Sequence, residues 1–100
     1  MIARVWRGII RAEHVQAYIN YIQATGGSEY KRTPGNQGAW TMSRIDGDRA
    51  EIIALSFWDS RKAIEGFAGP DIEHQVLYPE DERYLLAAST ISHYQITDSG

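Results

Sequence analysis

Hydrophobic periodicity predicts an α+β domain, a four-stranded antiparallel sheet crossed by helices in the order βαββαβ, the ferredoxin-like arrangement. Three observations carry this. Period-two alternation runs through residues 2–10, 39–45, 50–58 and 89–97. Helical spacing occupies 12–25 and returns after Ser60. Asp46-Gly47 marks a tight hairpin between the second and third strands.

The opening strand is rich in Ile, Val and Trp. Alternation puts Ile2, Arg4, Trp6 and Gly8 on one face and Ala3, Val5, Arg7 and Ile9 on the other. An arginine beside a tryptophan on such a strand reaches a buried anion, pairs with a carboxylate, or snorkels to water. From Ala12 to about Thr25, Val15, Tyr18, Ile19 and Ile22 share one helical face, with His14 and Tyr21 at its margin and Gly26 as the stop.

The next stretch, GGSEYKRTPGNQG, reads as a long connection. Pro34-Gly35 sits at the centre of a type II turn, and Tyr30 and Asn36 are the members to watch for ligand or partner contacts. Beyond the hairpin, Ile53, Leu55 and Phe57 alternate with Ile52, Ala54, Ser56 and Trp58. Both faces are apolar, so both are expected to be covered, one by helices and the other by a second copy of the chain.

The stretch ALSFWDSRKAIEGFAGPDIEHQ is the expected pocket wall. A buried strand ends at Trp58, Asp59 or Ser60 caps a helix whose Ala63, Ile64, Phe67 and Ala68 share a face, and Gly69-Pro70 breaks it. Another helical turn is expected over 70–75, carrying His74. A Pro-started turn then begins near Pro79, with Glu80, Asp81 and Glu82 at its N-terminal end, where the helix dipole favours acids. Consecutive carboxylates on one turn diverge, so no metal site is expected there. The last strand places His93 and Tyr94 on opposite faces.

One hundred residues make one domain, 1–100. A net charge of −3 and a pI near 5.5 leave no basic footprint, so nucleic acid is not an expected partner. The absence of cysteine removes disulfides and thiolate chemistry. No apolar run approaches the roughly 20 residues of a membrane helix, and Arg4 and Arg7 interrupt the N-terminal one. The expected setting is therefore cytoplasmic, away from membranes. Phosphate-binding glycine motifs and a GxSxG elbow are both missing from the sequence.

The element order, the Gly-rich connection, the hairpin and the junction SFWDSRKAIEGF resemble the antibiotic biosynthesis monooxygenase family of the dimeric α/β-barrel superfamily. The resemblance implies that the ferredoxin-like units pair as a homodimer, and that acidic aromatic or quinone-like molecules are oxygenated without flavin, metal or other cofactor. An electron-rich substrate, once deprotonated, reduces O2 itself. The protein need only supply a dry aromatic pocket, a base and a donor for the resulting oxyanion.

On that reading His74 and His93 are the candidate bases and Arg4 stabilises the oxyanion. Trp58, Trp6, Tyr30, Asn36, Phe67 and Tyr94 are the candidate substrate contacts, with Tyr30 or Tyr94 as a further donor. Two departures motivate an alternative. Ser56 and Phe67 stand where family members often carry Glu and His, which leaves a non-catalytic binding or stress-response protein as the second reading and a pure assembly module as the third. The haem-degrading branch's motif positions fall on Trp6-Arg7, Phe67 and Leu77, so haem chemistry is not expected.

Overall fold

A computed structural model describes residues 1–98. Strands β1 (Ile2–Arg11), β2 (Asn36–Asp46), β3 (Arg49–Trp58) and β4 (Thr90–Gln95) form one antiparallel sheet in the order β2-β3-β1-β4. Helices α1 (Val15–Ala24), α2 (Gly26–Arg32), α3 (Arg61–Ala68) and the short α4 (Asp81–Tyr84) complete the chain. This is the ferredoxin-like α+β fold that the periodicity predicts.

The register explains the burial. Trp6 pairs with Ala54 and Ile10 with Ala50, so Arg4, Trp6 and Ile10 share the helix-covered face with Ile52, Ala54, Ser56 and Trp58, all buried. Tyr18 and Ile22 of α1, Tyr30 of α2 and Ile64 and Ala68 of α3 close the core from above. The other face carries Val5, Ile53, Leu55 and Phe57, half-buried, and Trp40, Met42 and Tyr94, exposed. Among the described residues no helix covers it, so one of the two apolar faces is covered by helices and the other is left open.

Local chemistry sets the joints. At the hairpin Asp46 pairs with Arg49, leaving Gly47-Asp48 as the two-residue loop. Gly47 at φ 64 and no positive φ at Asp48 match a type II′ turn. Gly35 at φ 90 and the Asn36 N–H to Thr33 carbonyl bond (3.1 Å) close the predicted type II turn at Pro34-Gly35. Ser60 Oγ accepts from the Ala63 N–H at 3.2 Å and caps α3, and Gly69 at φ 89 ends it.

Three sequence expectations change. The stretch read as a loop after Gly26 contains helix α2, because α1 already ends at Thr25, whose hydroxyl donates to the Tyr21 carbonyl (2.7 Å). The chain restarts on Gly26-Gly27, with Glu29 and Arg32 paired at i, i+3 (2.7 Å). The helical turn expected over 70–75 is a tight turn in an otherwise irregular segment, closed by the His74 N–H to Asp71 carbonyl bond (3.0 Å). β4 stops at Gln95 rather than 97 because its partner runs out: Gln95 lies opposite Ile2, and one more bond, from the Ile96 N–H to the Met1 carbonyl, completes the ladder. Among the described residues no helix is long and apolar enough to cross a membrane.

Candidate active site between sheet and helices

Arg4 is the most unusual residue of the core. Its alternation points it at the helices, and only 1% of it is exposed. Among the described residues no carboxylate pairs with it. One terminal nitrogen donates to the Ile72 carbonyl (2.5 Å) and lies 2.9 Å from His93 Nε2, while the other donates to the His74 carbonyl (3.0 Å). The guanidinium also stands 5.8 Å from the Phe67 ring centroid, within cation–π range. Burial lowers its pKa and the nearby Tyr30 phenol opposes that. An arginine stays cationic in proteins, so this charge is solvated by dipoles and a ring face in place of a counter-ion.

A guanidinium only donates. The Arg4–His93 contact therefore requires a lone pair on Nε2, with the imidazole neutral and its proton on Nδ1. Burial, and then the Arg4 charge, hold the His93 pKa below its ordinary value, in accord with that tautomer.

Beside Arg4 lies a narrow cavity of about 30 Å3, room for a water or two. Its walls are Arg4, Trp6 and Ala54 from the sheet, Tyr18 and Ile22 from α1, Tyr30 from α2, and Val76, Leu77, Tyr78 and Asp81 from the segment that closes over it. Trp6 Nε1 and Arg4 Nε are both buried without a hydrogen-bond partner among the described residues. A buried, unmade hydrogen bond costs about 1–3 kcal/mol, so two free donors on side chains that line one cavity are a standing demand for an acceptor. Gly8 helps to set this wall, since a Cβ there would come within 2.7 Å of the Trp6 ring and 2.8 Å of Leu85.

Asp81 is the other charged side chain that lines the cavity among the described residues. It is 5% exposed, with Oδ1 accepting from the Tyr18 hydroxyl (2.8 Å) and Oδ2 from the Tyr78 N–H (2.6 Å). Burial, then the bond to Asp81, raise the pKa of Tyr18 far above its ordinary value, which keeps the phenol protonated. Tyr30 is likewise raised by burial, with Arg4 opposing, and Tyr78 is pushed up to about 12.

The structure gathers some of the sequence-predicted residues and disperses others. Arg4, His93, Tyr30 and Phe67 meet at one end, and Trp6 lines the cavity. Trp58 stands behind them, fully buried, its indole donating to Ser56 Oγ (2.9 Å) and its ring packed edge-on against Tyr30. His74 reaches Arg4 through its carbonyl alone, while its exposed side chain lines an outer groove with Leu77 and Leu85. Asn36 is spent on backbone at the start of β2, bonding the Phe57 carbonyl (3.3 Å) and the Gly38 N–H (3.0 Å). Tyr94 lies 59% exposed on the open sheet face.

Tyr18 was legible as core but not as a site residue, and Asp81 was read as one of three diverging acids. The signal for Asp81 is its spacing three residues after Tyr78 and four before Leu85, on the inward side of that turn.

No family model and no curated protein matches this chain. Solved structures do. A Bacillus cereus protein described as an antibiotic biosynthesis monooxygenase aligns at a TM-score of 0.70 with 12% identity, covering 99% of this chain and 95% of its own. A Nitrosomonas europaea protein of the same description gives 0.69 with 11% identity, over 98% of this chain and 100% of its own. The Streptomyces coelicolor monooxygenase from the gene ActVA-Orf6, in complex with the ligand nanaomycin D, gives 0.66 with 11% identity, over 98% and 88%. The chain thus has, over nearly its whole length, the fold of structures described as antibiotic biosynthesis monooxygenases.

Proposed function

We propose that this protein is a cofactor-independent monooxygenase acting on a small aromatic or quinone-like molecule. One observation carries the reading. Two buried N–H donors that have no acceptor among the described residues, Arg4 Nε and Trp6 Nε1, sit on side chains that line a single cavity that is otherwise mainly aromatic and aliphatic. An aromatic ring fits such walls, and a phenolate or enolate oxygen supplies the missing acceptor, stabilised by a cation that has no other anion. The fold shared with a monooxygenase that holds nanaomycin D supports the same class of ligand.

The cavity admits such a ring only when its roof yields. The roof is the irregular segment 69–80, held down by the two Arg4 bonds to the Ile72 and His74 carbonyls. Ligand oxygen competes for the same guanidinium, so entry and loosening of the roof go together.

Oxygen uptake with a panel of anthrones and hydroquinones tests the reading. Turnover by the wild type and a loss of about 100-fold in kcat/KM for Arg4→Met are expected, the range for removing one oxyanion donor. Absence of uptake across the panel would overturn it.

A non-catalytic binding protein is favoured instead by the position of the histidines. His74 turns its ring away from the cavity, and His93 commits Nε2 to Arg4. Under that reading ligands raise the melting temperature with no oxygen consumed.

We infer further that two copies pack their open sheet faces together. The patch of Trp40, Met42, Ile53, Leu55, Phe57 and Tyr94 is larger in character than a lone soluble domain normally leaves to water.

A further inference from the structure

Oxygenation of a deprotonated substrate needs a proton acceptor, and neither predicted histidine offers the cavity a free basic nitrogen. Among the described residues only two charged side chains line it, Arg4 and Asp81. We propose that Asp81, reached through the Tyr18 hydroxyl, takes the substrate's proton, opposite the Arg4 and Trp6 donors that hold the oxygen left behind. The proposal rests on the oxygenase reading above and assigns that reaction a base.

The geometry is that of a relay. Tyr18 spends its proton on Asp81 Oδ1 at 2.8 Å, which leaves a lone pair on its oxygen, fully buried until the roof yields, to accept from a ligand hydroxyl. The Tyr78 N–H holds Oδ2 and fixes the carboxylate. Tyr21 and Tyr84 pack on the Tyr18 ring at centroid distances of 6.3 and 4.8 Å, and His14 stacks edge-on against Tyr84 at 5.7 Å. Tyr30 and Arg4 line the same cavity as the pair.

In the step, the substrate O–H bond breaks and its electron pair stays on the substrate oxygen. The proton bonds to the Tyr18 oxygen as Tyr18 passes its own proton to Asp81 Oδ1. Tyr18 ends neutral, Asp81 ends as a carboxylic acid, and the substrate becomes an anion against Arg4. No net charge enters the site. The negative charge has moved from Asp81 into contact with the guanidinium, a favourable transfer where the dielectric is low.

Because the proton stays in the protein, the proposal predicts a specific pH dependence. 4-Nitrophenol is the probe, since its phenolate is distinguished by visible absorption. The wild type should bind it ionised, with an affinity independent of pH over the range in which the free protein's Asp81 is ionised and the free phenol is not. In Asp81→Asn the proton has no acceptor. That variant should bind the neutral phenol, or else bind the phenolate with affinity falling tenfold per pH unit as pH drops. Asp81→Glu should retain the wild-type pattern.

With an anthrone that the wild type oxidises, Tyr18→Phe should lower kcat by about 100-fold or more, the scale of lost general-base catalysis, with KM little changed. This variant keeps the ring packing and carries the test if Asp81→Asn does not fold. A neutral probe in the wild type, or an ionised probe with the same pH dependence in wild type and Asp81→Asn, would overturn the assignment. So would unchanged kcat in Tyr18→Phe. If the wild type turns over while both variants match it, only the proton assignment falls; if the wild type neither binds nor oxidises any probe, the oxygenase reading falls with it.

Discussion

Arg4 shows what one buried charge does to its neighbours. Its donors make His93 an obligate acceptor, and burial and the cation hold that imidazole's pKa below its ordinary 6.5. Between the lowered folded value and 6.5 the unfolded chain binds more protons than the folded one. Stability from His93 is thus complete above 6.5 and is lost as pH falls through that window. Denaturant titrations at pH 7.5 and 5.5 should show the wild type weakening on acidification, and His93→Gln should flatten the difference.

Gly8 offers a second test at this scale. A methyl there collides with the Trp6 ring and Leu85, so Gly8→Ala should cost about 1–3 kcal/mol of stability, an overpacking penalty, and should weaken ligand binding by moving the indole. Denaturation and a thermal-shift titration check both. Arg4 and Trp6 were legible as a pair because strand alternation puts i and i+2 on one face. Asp81 was not, because its partner, Tyr18, lies 63 residues away.

Among the elements, α3 is the one whose limits are written most plainly into the chain. Ser60 Oγ on the Ala63 N–H starts it and Gly69 at positive φ ends it. Ser60→Ala should cost about 1 kcal/mol, read from the denaturation midpoint at constant slope. α2 escaped notice for the opposite reason. It begins on two glycines and buries only Tyr30, so it has no apolar periodicity to betray it, and its stability comes from packing on Phe67 (4.5 Å) and Trp58 (6.1 Å). The segment 69–80, which roofs the cavity, has no ladder or helix of its own and is tied down from Arg4, a residue of another element.

At the scale of the whole molecule, the open sheet face carries the proposed pairing of two copies. It is apolar around Phe57, where Trp40 packs edge-on at 5.6 Å, and charged toward the hairpin, where Glu51 pairs with Arg7 and Arg44. If two copies meet there, Leu55→Lys should yield a folded monomer by light scattering at micromolar concentration, while the wild type remains a dimer. A monomeric wild type would remove the proposed interface.

The order of the strands, the turns at Pro34-Gly35 and after Asp46, and the division of each strand into two faces were determined by the sequence alone, because each depends on neighbours a few residues apart. Tertiary structure alone decided which face the helices cover, that Arg4 meets Ile72, His74 and His93, and that Asp81 meets Tyr18. Those contacts span 63 to 89 residues, and no local periodicity encodes them. They exist because antiparallel pairing lays β4 beside β1 and carries the closing segment back across the helices.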